Sequence, residues 1–226
     1  MVQQKGKLIV LDGSDGVGKR TQTELLVTRL KKEGIRVKTM DFPQYEKNFF
    51  GRLLRRCLAG EFGNFIALDP HLASILYAGD RFESKKPLDQ WLSSGYTVVL
   101  DRYVSANQMH QGGKIKNPRE RARFFAWLDR LEHGALGIPR PSLVLYLHLP
   151  VRLSTSLLNN RKRTNARKTL DLAERNQKHL AEAQNAALRL LRKNPQWKKI
   201  TCFDTRGVLS RDTIHEAVYR AVRKII

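Results

Sequence analysis

A glycine-rich stretch near the start of the chain has the residue types and spacing of a phosphate-binding loop. It follows an apolar run that ends at Leu11 and precedes a helical pattern, and its residues are Gly13, Ser14, Asp15, Gly16, Val17, Gly18 and Lys19. Closely spaced glycines let successive backbone N–H groups turn towards an anion, and the helix adds the positive end of its dipole. Lys19 can then reach the β- and γ-phosphates of a nucleotide. A glycine turn without a ligand is the alternative, and the correct flanks argue against it.

A second candidate group follows another apolar run, residues 97–100. Asp101 can hold Mg²⁺ or its waters, and Arg102 can bind a phosphate through two parallel hydrogen bonds. A simple ion pair at the end of a strand is the alternative. Open α/β sheets bind ligands at the carboxyl ends of their strands, so this pair is expected beside the phosphate loop.

The position after Lys19 departs from the usual pattern of such loops. It normally holds Ser or Thr, whose hydroxyl binds Mg²⁺. This chain has Arg20 there and places a hydroxyl one residue later, at Thr21. We hypothesise that Asp101 holds Mg²⁺ through water, with Thr21 or the Arg20 guanidinium compensating for the missing hydroxyl.

Two further groups have the chemistry to contact a nucleotide. Tyr77 and Arg81 lie four residues apart on a predicted helix, where a ring and a planar donor can stack on a base and bond its edge, with Phe42 as another wall. For each aromatic residue alone, core packing is the alternative. The arginine-rich run 161–168 can fold over a triphosphate and neutralise a transferring phosphoryl group. A solvated charged face is the alternative for that run.

The elements that must position these groups alternate between apolar runs and amphipathic helical patterns. This alternation predicts a single α/β domain over residues 1–226, with a parallel sheet covered by helices on both faces. Five strands are expected, at about residues 7–12, 37–42, 97–100, 142–149 and 199–203.

Three helical expectations concern the site directly. The helix that begins at Pro70 is expected to bury a stripe, with Tyr77 and Arg81 on a neighbouring face. Residues 107–116 are expected to form a polar connecting segment, and residues 169–194 one long helix. The predicted buried stripe consists of Leu72, Ile75, Leu76 and Phe82.

The charge balance raises the question of nucleic-acid binding. Lys and Arg number 42 against 21 Asp and Glu, a formal net charge of +21, which attracts polyanions. The basic residues are spread over many predicted helices, however, and no zinc-finger, RRM or OB signature accompanies them. Substrate anions therefore explain the charge at least as well, and nucleic acid is the less favoured partner.

The remaining composition predicts a soluble, cytoplasmic protein. No apolar run approaches the roughly 20 residues needed to span a bilayer, and no basic region followed by an apolar stretch marks the N-terminus. Cys57 and Cys202 show no metal-ligand spacing and are expected to be buried free thiols.

Taken in order, these groups resemble the thymidylate kinases, a family of P-loop nucleoside monophosphate kinases. The resemblance extends from Leu8 to about Ala187, and its combination of segments is more specific than any one of them. The segments are 12–19, 41–43, 77–81, 101–103, 110–113 and 167–171 with Glu174.

The resemblance implies a P-loop NTPase fold with a central five-stranded parallel sheet and a helical lid at about residues 160–170. It implies ATP as phosphate donor, Mg²⁺ as metal, dTMP as acceptor and dTDP as product, in a protein that is usually a homodimer. Another deoxynucleotide or deoxynucleoside acceptor remains open, as does a nucleic-acid-binding P-loop ATPase.

The resemblance also assigns roles to residues. ATP would contact residues 13–21, and Asp101 with Thr21 would lie near the metal. Arg102 would bind the monophosphate, and Asp15 the sugar hydroxyl or the acceptor phosphate region. His110 and Gln111 would pack against sugar and base. The implied dTMP-binding residues are Asp15, Phe42, Tyr77, Arg81, Arg102, His110 and Gln111.

Two positions differ between members of that family. Some members carry a catalytic arginine directly after the loop aspartate, where this chain has Gly16, so the lid should supply it from Arg161, Arg163 or Arg167. Arg167 is favoured because of its offset from Asp171. Tyr45 stands where relatives often have a phosphate-binding arginine, which Arg52, Arg55 or Arg56 could replace.

Overall fold

The computed structural model describes the backbone of residues 6–164 and 171–226, and the side chains of these ranges except 161–164. Five strands pair in parallel in the order β2-β3-β1-β4-β5, which confirms the predicted sheet. A two-stranded antiparallel hairpin, β6 and β7, follows β5. The strands are β1 Lys7–Gly13, β2 Val37–Asp41, β3 Thr97–Asp101, β4 Leu143–His148, β5 Trp197–Thr201, β6 Phe203–Asp204 and β7 Gly207–Val208.

Helices cover both faces of this sheet, joined by a 3₁₀ turn at Phe65–Ala67 and a π-helical turn at Arg130–Ala135. Several begin where the sequence places a cap, such as Asp69 and Asn117, each of which precedes a proline at the first turn. The α-helices are α1 Lys19–Lys32, α2 Phe49–Ala59, α3 Pro70–Glu83, α4 Lys85–Ser93, α5 Val104–Lys114, α6 Pro118–Asp129, α7 Val151–Thr164, α8 Leu172–Arg175, α9 Gln177–Lys193 and α10 Arg211–Val222.

The core has two layers because successive side chains of β1 point to opposite faces of the sheet. Ile9 and Leu11 pack with apolar residues of α1 and α10 on one face. Leu8 and Val10 pack on the other face with apolar residues of α4, α5 and α9. Both faces of the parallel sheet are therefore buried, as its apolar strands predict.

The strand register brings the two expected phosphate-binding groups to one edge. Leu11 of β1 lies beside Asp101 of β3, and the backbone N–H of Arg102 donates to the Leu11 carbonyl at 2.9 Å. The phosphate loop follows β1 and Arg102 follows β3, so both lie at the carboxyl ends of neighbouring strands.

Residues 104–114 form helix α5, so the predicted connecting segment at 107–116 was wrong. Its two glycines weaken helix propensity, but they serve packing. A Cβ on Gly112 would lie 2.3 Å from the Phe125 ring, and one on Gly113 would lie 2.9 Å from the Ala183 backbone nitrogen. The glycines therefore allow α6 and α9 to approach α5 closely.

The predicted single helix at 169–194 was also wrong for the part that the structure describes. Asp171 and Glu174 form a capping box that starts α8. The chain then breaks at Asn176, whose side chain accepts a hydrogen bond from the His179 backbone at 3.0 Å and caps α9. Two capping signals within one apolar repeat therefore make two helices.

Of the predicted apolar stripe of helix α3, only Leu76 is partly buried, where it packs against the core cluster that contains Leu54 and Phe65. Leu72, Ile75 and Phe82 are 55%, 45% and 51% exposed. The buried side of this helix instead carries residues that are either small or polar, namely Ala73, Ser74, Ala78, Asp80 and Arg81. Periodicity located an apolar face correctly, but it does not say which neighbour covers that face.

Two further features concern the cysteines and the hydropathy of the helices. Cys57 and Cys202 are buried free thiols. Over residues 6–164 and 171–226, no helix combines the length and the hydropathy that crossing a membrane requires.

Candidate active site

A cleft of about 1690 Å³ opens at the carboxyl edge of the sheet. The phosphate loop, the Asp101-Arg102 pair, helices α3 and α5 and the first residues of α9 all line it. Strands β2 and β3 lie on one side of β1, and β4 and β5 lie on the other. Open α/β sheets bind ligands at such a switch in strand order. The cleft therefore lies where the sheet topology predicts a binding site.

Lys19 begins α1 and folds back over the phosphate loop. Its Nζ donates to the carbonyls of Gly13 at 3.0 Å and Ser14 at 2.9 Å, and lies 3.4 Å from Asp15 Oδ1. Burial and the nearby Arg102 guanidinium lower the pKa of Lys19. The ammonium group is thus held inside the loop, next to the inward-turning backbone at Gly16 and Gly18, whose φ angles are 81° and 91°.

Arg102 projects into the same space from the end of β3. Its φ of 66° lies in the left-handed region, which non-glycine residues seldom adopt and which occurs at functional sites. The guanidinium forms an ion pair with Asp15 and lies 3.9 Å from buried Asp12. Burial alone would raise the pKa of Asp15, but Arg102 and Lys19 outweigh it and the net shift is downward.

The surroundings of Asp101 suit a divalent cation. Its Oδ1 is buried and, among the described residues, has no hydrogen-bond partner. Burial raises the pKa of this carboxyl against the opposing effect of Lys19. An unsatisfied carboxylate oxygen that lines the cleft fits a metal-bound water.

The geometry distinguishes the two residues expected to compensate for the missing loop hydroxyl. The Arg20 side chain is 80% exposed and pairs with Glu24 at 2.9 Å. Both Arg20 and Thr21 line the cleft. Because the Arg20 guanidinium already has an acidic partner, Thr21 is the better candidate for the compensating group.

The aromatic wall has the predicted members. Phe42 is buried, packs against Tyr103 with ring centroids 5.7 Å apart, and lines the cleft together with Tyr77. Tyr77 packs against Phe65 at 6.1 Å. Two aromatic rings in the lining of one cleft suit a ligand that carries a nucleobase.

Arg81 lines the cleft, but most of its guanidinium is paired with Glu132. Its Nε donates to Glu132 Oε2 at 2.6 Å and its Nη2 to Glu132 Oε1 at 2.5 Å, in a pair whose side chains are 2% and 0% exposed. The Asn107 amide donates to the same carboxylate at 3.1 Å. Donation to a base therefore falls to the remaining Nη2 hydrogen or to Nη1, whose 3.5 Å bond to the Tyr103 carbonyl is long.

His110 and Gln111 both line the cleft. The Oε1 atom of Gln111 is buried and has no hydrogen-bond partner in the described part of the chain, so it can accept a bond from a ligand. His110 Nε2 lies 3.4 Å from Arg102 Nη1, and its Nδ1 lies 3.1 Å from His179 Nε2.

The predicted arginines fall into two groups. The side chains of Arg161 and Arg163, and all of Arg167, lie outside the described residues. Of the three candidates to replace the relatives' arginine at Tyr45, Arg55 lines the cleft and pairs with Glu46. Arg52 donates to the Lys47 carbonyl and Arg56 to Glu61.

Sequence reasoning assigned no site role to several residues that the fold places in or next to the cleft. Asn107 lay in the supposed connecting segment, and Glu132 follows helix α6 in the π-helical turn. Asp171 and Glu174 carried a visible signal, their capping spacing, which marks a helix start near the lid. His179 carried no signal of its own. The missed residues are Asn107, Glu132, Asp171, Glu174 and His179.

The arrangement joins two cationic groups through one carboxylate. Lys19 and Arg102 come from separate strand ends, and both lie against Asp15. Such a pair can hold two phosphate groups close together and stabilise negative charge between them. The cleft can therefore hold two phosphorylated ligands side by side, which phosphoryl transfer requires.

Comparison with known proteins gives consistent results. The family model for thymidylate kinase matches residues 11–205. The thymidylate kinase of Mycobacterium tuberculosis is 32% identical over 178 residues, which span 78% of this chain and 80% of that protein. The human enzyme is 32% identical over 149 residues, or 66% of this chain and 64% of the relative. A solved thymidylate kinase from Candida albicans has the same fold, with a TM-score of 0.72 at 21% identity, over 97% of this chain and 92% of that one.

Proposed function

The chain belongs to the thymidylate kinase family and phosphorylates dTMP to dTDP with ATP as donor, and we propose that the cleft at the carboxyl edge of the sheet is where it does so. One observation supports this location above the others. Lys19 and Arg102 meet at Asp15, which joins a donor-phosphate site to an acceptor-phosphate site.

The donor triphosphate binds in the loop of residues 13–19. The loop amides and the positive end of α1 bind its oxygens, and Lys19 exchanges its carbonyl partners, Gly13 and Ser14, for phosphate. Arg20 and Thr21 begin α1 beside these phosphates. Because Lys19 is already held inside the loop, little reorganisation is needed when the nucleotide binds.

The acceptor phosphate binds at Arg102. The guanidinium presents two parallel donors, the geometry that phosphate oxygens match. In the free protein Asp15 neutralises Arg102, and the incoming phosphate takes over part of that pairing. Asp15 then contacts the sugar hydroxyl or the acceptor phosphate region. No side chain needs to act as a strong base, because phosphoryl transfer depends mainly on positioning and charge neutralisation.

The thymine base lies between Phe42 and Tyr77, with Arg81 and Gln111 at its polar edge. The buried, unpaired Oε1 of Gln111 supplies an acceptor, and Arg81 Nη1 supplies a donor. His110 packs against the sugar. Its polar imidazole distinguishes this wall from a purely apolar one.

Asp101 and Thr21 would hold Mg²⁺ beside the donor phosphates, Asp101 through water. When bound, the cation supplies charge neutralisation on the phosphate oxygens. The lid arginines Arg161, Arg163 and Arg167 complete the site in this proposal, with Arg167 as the catalytic one.

We assign the exposed apolar face of α3 to a second copy of the chain, giving a homodimer. Leu72, Ile75 and Phe82 lie on this face. Phe49 of α2, 63% exposed, adjoins it because the next residue, Phe50, donates its backbone N–H to Glu83 at 3.2 Å. Several large apolar side chains exposed on one face of a protein mark an interaction site. The enzyme works in the cytoplasm in this proposal, where ATP is available.

The test is a coupled ADP-release assay over dTMP, dUMP, dGMP and thymidine, with and without Mg²⁺. We expect dTMP to be the best acceptor. Thymidine should be inactive, because it has no phosphate for Arg102 to bind. The variant Arg102→Gln should lose about 100-fold or more in kcat/KM for dTMP. Arg140→Gln, which removes an exposed arginine paired with Asp129, is the matched control and should retain activity.

Two results would contradict the proposal. One is Arg102→Gln turning over dTMP as fast as the parent enzyme. The other is ADP release that needs no acceptor and rises with added DNA, which would support the nucleic-acid-binding ATPase instead.

A further inference from the structure

The contact between two histidines in the cleft wall has no role in the reaction outlined so far, and one of the two, His179, has none of its own. His110 of α5 and His179 of α9 stack with ring centroids 5.2 Å apart and planes inclined by 27°. Both line the cleft, and His179 is 4% exposed. A buried polar pair at this depth needs satisfied hydrogen bonds to be stable.

The hydrogen bonds of this pair determine its tautomers. Arg102 has only donors, so in its 3.4 Å contact the Nε2 atom of His110 must accept. A neutral His110 then carries its proton on Nδ1 and donates to His179 Nε2 at 3.1 Å. His179 Nε2 must therefore be the acceptor, and its own proton lies on Nδ1.

We propose that His179 is a positioning residue for the acceptor-phosphate site, because it fixes the His110 tautomer that holds the Arg102 guanidinium. This proposal rests on the proposed function only in identifying what Arg102 binds. The three side chains form a relay from Arg102 through His110 to His179. The relay holds the guanidinium at Nη1, while Asp15 holds it at Nη2.

The charges around the pair favour its neutral form. Burial, then His179 and Arg102, move the pKa of His110 well below its ordinary value, opposed by Asp15. Burial and Lys114 lower the pKa of His179 to about 4, again opposed by Asp15. His179 also lies in the first turn of α9, whose positive end disfavours an imidazolium. Both rings are thus neutral at pH 7, as the relay requires.

Helix packing holds the two rings at this separation. His110 and Gly113 lie on one side of α5, three residues apart, and His179 and Ala183 lie on one side of α9, four residues apart. Gly113 has no side chain, so it meets the α9 backbone at Ala183 directly. This close contact, one turn away, sets the distance between the imidazoles.

Two variants of His179 distinguish the effect of its hydrogen-bond acceptor from the effect of its volume. In His179→Gln, the side-chain Oε1 can replace Nε2 as an acceptor, whereas His179→Leu keeps similar volume and removes the acceptor. We expect His179→Leu to raise KM for dTMP about tenfold, because a His110 tautomer that is no longer fixed weakens the one hydrogen bond that His110 makes to the charged Arg102 guanidinium. KM for ATP should stay within about twofold. His179→Gln should recover most of the loss, and His215→Leu, at a buried histidine on α10, should leave KM for dTMP unchanged.

A spectroscopic measurement tests the relay without any substrate. Long-range ¹H–¹⁵N correlation spectra of the ¹⁵N-histidine-labelled parent protein at pH 7 report which ring nitrogen carries the proton. The chain has six histidines, so single substitutions assign the signals. We expect His110 and His179 both to be protonated on Nδ1.

The outcomes are distinct. A parent spectrum with His110 protonated on Nε2, or equal dTMP KM values for His179→Leu and His179→Gln, would overturn the proposal. The spectrum remains decisive even if His179→Leu does not fold. A parent enzyme that fails to phosphorylate dTMP but shows both Nδ1 protons would contradict the proposed function and leave the relay intact.

Discussion

At the scale of single residues, the site is organised by buried charges that neutralise one another. Asp15 is paired with Arg102 and Lys19, and Glu132 with Arg81. A buried charge without a partner is costly, so each pair is stable only as a pair. The free protein therefore holds Lys19 and Arg102 close together through the shared Asp15 carboxylate, which offsets part of their mutual repulsion.

The Arg81–Glu132 pair provides a direct test of this dependence. Glu132→Gln keeps the shape of the side chain but leaves the Arg81 guanidinium buried without a counter-charge. We expect the free energy of unfolding to fall by about 3 kcal/mol or more. Urea denaturation followed by circular dichroism measures this change.

The matched control is Asp129→Asn, which removes the carboxylate from an exposed pair with Arg140 at 2.6 Å. Exposed pairs contribute about 1 kcal/mol at most, so this variant should be nearly as stable as the parent. Similar losses for both variants would contradict the view that burial determines the strength of the Arg81 pair.

The residues that could be predicted from sequence are those that follow a strand or a glycine loop. Lys19, Asp101 and Arg102 are predictable because the turn or strand end that carries them also fixes where they lie. Glu132 and His179 were missed because their roles depend on tertiary contacts with residues far away in sequence. No local pattern records such a partner.

At the scale of elements, the site depends on how closely helix α5 approaches its neighbours. The carboxyl half of α5 was predicted as a connecting segment because Gly112 and Gly113 lower helix propensity. Propensity describes an isolated helix, whereas here Phe125 and the α9 backbone occupy the space that side chains would fill. Tertiary packing therefore outweighs the local preference.

Gly113→Ala tests this account. The added Cβ would lie 2.9 Å from backbone atoms of Glu182 and Ala183, which cannot rotate away, so α5 and α9 must separate. We expect a loss of stability of about 1 to 3 kcal/mol, as for overpacked cores. The midpoint of thermal unfolding and its enthalpy measure the loss.

Gly134→Ala is the control for the Gly113 variant. A Cβ at Gly134 meets nothing within 4 Å, and its φ is not positive. That variant should be neutral or slightly stabilising, because alanine restricts the unfolded chain. A Gly113→Ala protein as stable as Gly134→Ala would show that the helices are not in close contact at this point.

At the scale of the whole molecule, alternation of apolar strands and helices was sufficient to predict the sheet, its five parallel strands and the edge that carries the site. Two properties of the whole were not predictable in the same way. Periodicity could not tell which apolar faces pack inside the chain, as α3 shows. Nor could the net charge of +21 be assigned to one surface, since surface charge does not determine a fold.

The exposed face of α3 leads to the last prediction, which concerns assembly. If Leu72, Ile75 and Phe82 pack against a second copy, Ile75→Asp places a carboxylate in that apolar contact, at a cost of several kcal/mol for each buried charge. We expect this variant to sediment as a monomer in analytical ultracentrifugation, while the parent protein sediments as a dimer. The control is Lys32→Asp, an equally drastic change at an exposed site on α1, against the opposite face of the sheet. That control should remain dimeric. A parent protein that is monomeric at micromolar concentration, or an Ile75→Asp variant that stays dimeric, would show that something other than a second copy covers this face.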